Sequence, residues 1–568
     1  MKRPAIFLLS ALFCAGIVWA AYQAAAPSAT PLSKYVPAGP LLYLEAKDFS
    51  ALLRDWNSSP QKKQWVECSN YEVFSRSRLF LRLHGAGSQF AAAAGLPPDM
   101  NFLSQVAGTR SAVALYDIGN LQFLYITYLP SAKSMQTTLW QSRAKFEPRS
   151  AGGLNFYLRR DPESQKEVAF AVSGDYLLLA TREDLLAGAL QLLSGSQNRT
   201  VESEQWWLQS VAAAGAAGDL RMVLNLEKIV PSPYFRTYWV QQNITDLTQY
   251  SAAVSDLFRS DKQYREERVL LRKAPPPAAA SSADGLEAAA GLVRLVPDGA
   301  GIYEAQAHPS ADSCLDLLET KLLAPHLGPA PPSQIAPLVQ LTSGETGGGA
   351  DLETRIDQPP VKPVTPENTT ALKELLDKTQ VLASLQVQST DREKAGVFVK
   401  IHSAVVLSAA SDWNEANIQS ALAEFVRPGL TASQLGVGWQ QKSGYQELDG
   451  LWPLVASTRG KYLLVSDDPT LIAAMLSNFN RKSDVTPAVL IAGFNHSRER
   501  ANFARFSGVV DRPNLAQSNV PGMERQPQFL SENMASLSST LAGVSSENIR
   551  VRVDGGKVLQ TVTYEWSQ

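Results

Sequence analysis

The sequence predicts an α+β protein, a tandem duplication of a mainly antiparallel sheet domain covered by helices. Three observations predict it. Short apolar strands and amphipathic helices alternate along the chain, hairpins outnumber βαβ crossovers, and two distant segments share one pattern. Those segments, SGDYLLLATREDLLAGALQLL (173–193) and RGKYLLVSDDPTLIAAMLSNF (459–479), align without a gap. Seven of their 21 positions are identical, among them Gly174/Gly460, Tyr176/Tyr462 and Leu185/Leu471. Earlier in each half, Val36, Pro37, Gly39 and Tyr43 recur as Val296, Pro297, Gly299 and Tyr303.

Composition narrows the class further. At about 150 residues per domain, 568 residues allow two to four domains. A 45% hydrophobic share is enough for a sizeable core and excludes wholesale disorder. With 52 Lys+Arg against 54 Asp+Glu, the net charge of −2 argues against a nucleic-acid partner.

The N-terminus carries an address. Lys2 and Arg3 precede an uncharged apolar run over residues 5–22, the pattern of an export segment. Val18 and Ala20 suit a cleavage site after Ala20, while the length of the run also suits a helix that just spans a bilayer. Residues 1–26 are therefore a signal peptide or an N-terminal membrane anchor, and both readings stay open. Either places the body of the chain in the periplasm or another extracytoplasmic space. A lipoprotein reading at Cys14 fits poorly, because Phe13 is too bulky for the residue before a lipidated cysteine. Cys68 and Cys314 cannot form a metal site alone. They are expected as buried free thiols, with a disulfide between them permitted by export.

The first α+β repeat is expected over 33–273. Its elements are a strand at 40–46, helices near 48–57 and 70–94, and a hairpin at 111–129 turning at 117–120. A helix at 131–143 follows, then strands near 154–158, 167–173 and 175–180. In both copies a Gly-containing turn leads into an apolar strand and then a helix whose stripe is Leu185, Ala189 and Leu193, or Leu471, Met475 and Phe479. Thr181 and Asp467 occupy the expected N-cap positions of those helices. A helix at 203–214, a strand at 219–226, a long helix near 235–259 and a strand at 264–272 complete the repeat. Residues 274–290, with the run APPPAAASSADG, read as a linker. The second repeat, 291–568, is expected to end in a helix at 525–540 and a hairpin turning at 554–556. The offset between copies grows from 260 (Tyr43 to Tyr303) to 286 (Tyr176 to Tyr462). The extra residues fall in a Pro/Gly-rich stretch at about 327–368, expected as a disordered insertion. Helices are expected on one face of the sheets.

The export segment, the P-x-x-x-x-x-Y strand of Pro37 to Tyr43 and the GDYLLLA-x-x-x-x-L unit at 174–185 together resemble domain-of-unknown-function family 3352 of exported bacterial proteins. The resemblance covers both halves. It implies a bacterial envelope protein and brings no catalytic residues.

Motifs for chemistry are scarce. His84, His308, His326, His402 and His496 show neither HExxH nor HxH spacing. No GxSxG elbow occurs, and Gly460-Lys461 and Gly556-Lys557 lack the Ser or Thr of a P-loop. Gly85-Ala86-Gly87 ends in Phe90 where a dinucleotide fingerprint needs a small residue. No catalytic, metal or cofactor residue is assigned. Aromatics are concentrated at Trp206-Trp207 and at Tyr234, Phe235, Tyr238 and Trp239, whose i, i+4 spacing makes an apolar stripe. Packing against the sheet accounts for that stripe. Its functional reading is contact with an apolar ligand or lipid. The expected role is a non-catalytic envelope module, a binding or scaffold unit for a protein or a lipid-like ligand, tethered to the membrane through its N-terminal segment. The alternative is a hydrolase whose site is gathered from residues distant in sequence.

Overall fold

The computed structural model describes residues 30–67, 71, 75–76, 78–233, 247–274, 282–323, 370–390, 401–430, 438–449, 454–499 and 543–566. The N-terminal segment 1–26, Cys68, the insertion at 327–368 and the helix expected at 525–540 lie outside them.

The strands of the first half are β1 (Leu42–Ala46), β2 (Arg110–Asp117), β3 (Gln122–Tyr128), β4 (Glu147–Ala151) and β5 (Leu154–Arg160). They continue with β6 (Glu167–Ser173), β7 (Tyr176–Ala180), β8 (Leu220–Asn225), β9 (Tyr250–Arg259) and β10 (Gln263–Arg272). The second half holds β11 (Ile302–Ala307), β12 (Val381–Thr390), β13 (Ile401–Ala409), β14 (Gly438–Gln441) and β15 (Gln446–Asp449). After these come β16 (Leu454–Arg459), β17 (Tyr462–Ser466), β18 (Leu490–Phe494), β19 (Val544–Asp554) and β20 (Lys557–Trp566). All 20 belong to one sheet, and every pairing between them is antiparallel.

Followed from one edge, the order in the first half is β4-β5-β6-β7-β3-β2-β1-β8-β9-β10. The sheet then crosses to β20 and continues β19-β18-β11-β12-β13-β17-β16-β15-β14. The second order is the first reversed, with each strand number raised by ten. At the crossing, Arg265 faces Thr563, Glu267 faces Thr561 and Val269 faces Leu559. The two halves thus share a single sheet, where the sequence suggested one sheet in each.

The helices of the first half are α1 (Phe49–Ser58), α2 (Pro60–Glu67), α3 (Arg78–Ala94), α4 (Met100–Val106), α5 (Glu183–Leu193) and α6 (Gln205–Ala213). The second half adds α7 (Ala283–Leu292), α8 (Ala311–Leu318), α9 (Thr370–Thr379), α10 (Glu415–Leu430) and α11 (Pro469–Ser477). They cover both faces, not one. Successive residues of β7 explain why: Leu177 and Leu179 pack with Phe102 and Val106 of α4, while Leu178 and Ala180 pack with Leu186 and Leu190 of α5. A strand apolar on both sides needs cover on both sides. In β17 likewise, Leu463 and Val465 pack with α8 to α10, and Leu464 packs with α7 and α11.

Other expectations change for identifiable reasons. Residues 250–259 are β9, not the end of a long helix, and Ala252, Val254 and Asp256 are buried alternately as a strand requires. The helix expected at 131–143 is broken into turns at Ser131–Ser134, Thr138–Gln141 and Ser142–Lys145. The Ser134 and Thr137 hydroxyls bond to the Leu129 and Ser134 carbonyls, a local alternative to the helical ladder. Part of the expected linker, from Ala283 onward, is α7, which buries Ala289, Ala290 and Leu292 against the second half. The short edge strand β4 and helix α4 carry too little periodicity to be read from sequence.

The N-caps also move by one residue. Arg182 and Asp468 occupy them. Thr181 instead accepts the Phe123 N–H through Oγ1 at 2.9 Å, and Asp467 accepts the Ser403 N–H through Oδ1 at 2.8 Å. Each side chain ends the same strand pair in its own half, β3 with β7 and β13 with β17. Gly174 (φ 54°) and Gly460 (φ 57°) take the left-handed conformation in the matching two-residue hairpin turns.

One ion pair joins β8 to β9. Arg221 donates through both Nε and an Nη to the two oxygens of Asp256 at 2.8 Å, and the Gly218 N–H adds a third bond at 3.0 Å. Asp256→Ala leaves a largely buried guanidinium unpaired, so chemical denaturation should show a loss of about 3–5 kcal/mol. Arg221→Met with Asp256→Leu should recover most of it. Cys314 lies wholly buried in the second half's core, and burial pushes its thiol up to about 12. Iodoacetamide at pH 8 should leave Cys314 unmodified in the folded protein and alkylate it in urea, as read by peptide mass.

Candidate functional site

A groove of about 760 Å³ lies between helices α3 and α4 and one face of the first half's sheet. Val113 of β2, Phe123 and Tyr125 of β3, Val168 of β6 and Leu179 of β7 form its floor. Leu83, Gly87 and Phe90 of α3 form one wall, and Phe102 and Val106 of α4 close the inner end. These residues alternate with those facing the opposite core, so the strand period of two supplies the floor.

Local chemistry fixes each wall. The Asp99 carboxylate caps α4 by accepting the Phe102 N–H at 2.8 Å. Arg159 of β5 donates to the Ala92 and Ala93 carbonyls at 2.9 and 3.0 Å, holding the C-terminal end of α3 on the sheet. Arg82 ties the other end of α3 to the β2–β3 hairpin through the Gly119 carbonyl. Between these two ties the helix presents Ala86 and Gly87 to large apolar sheet residues, and the volume those small residues leave unfilled becomes the groove. The matching face of the second half is packed, with Cys314, Leu318, Leu372 and Ile418 buried against Val405 and Leu463.

The inner end is dry in chemical character. There the Tyr125 hydroxyl donates to the Val106 carbonyl at 2.8 Å and sits 3.2 Å from the Ser111 hydroxyl. Burial pushes the Tyr125 phenol above its ordinary range. The outer end is polar and is built from three turns. Asn120 and Leu121 come from the β2–β3 tip, Gln165 and Lys166 from the β5–β6 tip, and Thr181 and Arg182 from the β7–α5 junction. Leu121 (φ 50°) and Gln165 (φ 56°) are both left-handed, a conformation that costs non-glycine residues energy and clusters at functional rims. At the first tip the Asp117 carboxylate accepts from the Asn120 backbone and side chain at 2.9 and 3.0 Å. Burial works against that ionised carboxylate, yet these bonds hold it below its ordinary range.

The aromatic stripe Tyr234, Phe235, Tyr238 and Trp239 lies outside the described residues. Of the other aromatics singled out, Trp207 packs edge-on to Tyr43 at 5.0 Å in the core. The groove itself was missed in the sequence. Its available signal was the small-residue run around Gly85-Ala86-Gly87 inside an amphipathic helix, which reads as a failed nucleotide motif instead. Among the described residues no group of three His, Cys, Asp or Glu is placed to hold a metal ion. His402 and Asp468 lie 3.3 Å apart at the end of β13, and Asp468 is occupied in capping α11. A second pocket of about 250 Å³ adjoins α10 and β14 to β16. No described helix is long and apolar enough to cross a membrane.

No family model matches the chain. No curated relative matches it. Among solved structures, two crystal forms of TP0453 align at TM-score 0.24 with 9% and 10% identity. They cover 44% of this chain and 82% and 83% of theirs. A likeness at that score carries no argument about fold or function.

The glycines of α3 give a direct test of how the wall is built. A Cβ at Gly85 would meet nothing within 4 Å, and one at Gly87 would meet only the Pro98 ring at 3.7 Å. Gly85→Ala and Gly87→Ala should each stabilise the protein by about 0.5–1 kcal/mol in urea denaturation, because helix-interior glycine costs backbone entropy.

Proposed function

We propose that the chain is an exported, membrane-tethered envelope protein that binds an apolar ligand and performs no catalysis. The observation that carries this reading is the groove: a 760 Å³ concavity with an apolar floor, a dry inner end and a polar rim. Small-molecule sites are typically of this size, roughly 300–1,000 Å³, with a few polar groups fixing orientation. Export and tethering rest on Lys2, Arg3 and the apolar run 5–22, and the envelope setting on the resemblance to family 3352.

We also infer that the chain arose by tandem duplication of one ten-stranded unit. Support comes from the reversed strand order across the β10–β20 crossing and from the Tyr176/Tyr462 segments. The equivalent strand-end bonds of Thr181 and Asp467 point the same way. The copies then diverged in the helical layer, which is filled in the second half and open in the first.

Native mass spectrometry of the protein extracted from its own membranes tests the binding role. The expected spectrum shows an apolar small molecule released on activation. Ala86→Trp, which fills the groove from α3, should abolish that adduct while leaving the denaturation midpoint close to that of the parent. An adduct unaffected by Ala86→Trp would place the ligand elsewhere and overturn the groove reading.

A further inference from the structure

Resting on that groove reading, we propose that its ligand is an anionic single-chain amphiphile, held with its carboxylate or phosphate at Lys166 and its chain against β3. The two ends of the groove differ in what they can solvate. At the inner end the Tyr125 hydroxyl is already bonded to the protein, so only a hydrocarbon chain loses nothing there. At the outer end the charges divide unequally. Arg182 is bonded to Asp184 and to Gln122, and Glu167 is bonded to Arg160 and to the Glu183 N–H. Lys166 makes one long hydrogen bond, 3.4 Å to the Asn120 side-chain oxygen, and acts on the Asp117 carboxylate through space, while that carboxylate is itself bonded to Asn120. An ammonium carries three donors, so two remain for a ligand.

Charge complementarity therefore selects the head group. A cationic head would be repelled by the lysine, and a neutral one would gain nothing from its charge at the solvent-facing rim. The Asn120 contact spans the tips of two hairpins, each with a left-handed non-glycine residue beside it, Leu121 and Gln165. Those turns hold the amide and the ammonium at one point on the rim. The volume is that of a single small ligand, which favours one chain over two.

Displacement of a dansylated undecanoic acid from the full chain tests this, with laurate, dodecyl phosphate, dodecanol and inorganic phosphate as competitors. Laurate and dodecyl phosphate should compete well, dodecanol weakly and inorganic phosphate not at all. Lys166→Glu should weaken laurate by roughly tenfold or more and leave dodecanol unchanged, since a charge-assisted contact is lost. Lys166→Arg should retain laurate, and Ala86→Trp should weaken every amphiphile. Equal competition by laurate and dodecanol, with no effect of Lys166→Glu, would overturn the head-group assignment and leave the groove reading intact. Competition by inorganic phosphate alone would overturn the amphiphile in favour of a free-anion site. Failure of the labelled acid to bind the parent chain, or binding indifferent to Ala86→Trp, would overturn both.

Discussion

The antiparallel pairing of β10 with β20 is the contact on which the rest of the architecture depends. Each is the last strand of its half, and each has its other long edge already bonded, β10 to β9 and β20 to β19. Left apart, the halves would each expose a strand of ten residues with unpaired backbone groups, an open template for association. Their mutual pairing, from Gln263 opposite Glu565 to Leu271 opposite Lys557, satisfies both edges at once. Because the pairing is antiparallel, the second half must run in the opposite order. Equivalent helices of the two halves then lie on the same face of the common sheet. The cores that hold Tyr43 and Tyr303 accordingly lie on one face of it.

A sheet shared in this way is constrained more tightly than its cover. The strands must keep their register, since a slip by one residue would exchange the two cores across the sheet. The helical layers have no such restriction and can change in length and packing. The opposite face of each half makes the contrast concrete. In the second half Leu318 and Leu372 are buried almost completely, whereas in the first Leu83, on the groove wall, is 49% exposed. The sheet residues beneath are buried in both halves, Tyr125 and Leu179 in the first against the smaller Val405 and Val465 in the second. The groove follows from the small residues Ala86 and Gly87 in the helix that covers this floor.

Buried polar groups mark where the scaffold is held in place. Arg221 and Asp256 pair directly across β8 and β9, on the strands leading to the crossing. Thr181 and Asp467 fasten the ends of β3 and β13. Burial pushes the Asp467 carboxyl above its ordinary range, although the Ser403 N–H bond and His402 act to lower it. Thr181 makes the corresponding bond without a charge to desolvate, so the two halves meet one geometric need at different electrostatic cost.

By itself the sequence determined the α+β class, the antiparallel hairpins and the paired strand–helix units, because strand and helix periods are local properties of the chain. The turns at Gly174 and Gly460 and the short apolar runs of β7 and β17 could be read for the same reason. Period alone could not say which partner each strand would find. Residues 250–259 look helical next to the aromatic spacing before them, and only pairing with β8 and β10 makes them a strand. The N-cap positions slipped by one because Thr181 and Asp467 bond to strands more than 50 residues away. The groove is the extreme case. Ala86 and Gly87 are ordinary small residues in the sequence, and a cavity exists only once α3 is held at both ends over Val113, Phe123 and Tyr125. Volume left unfilled between elements distant in the chain is a property of tertiary packing, and no local pattern encodes it.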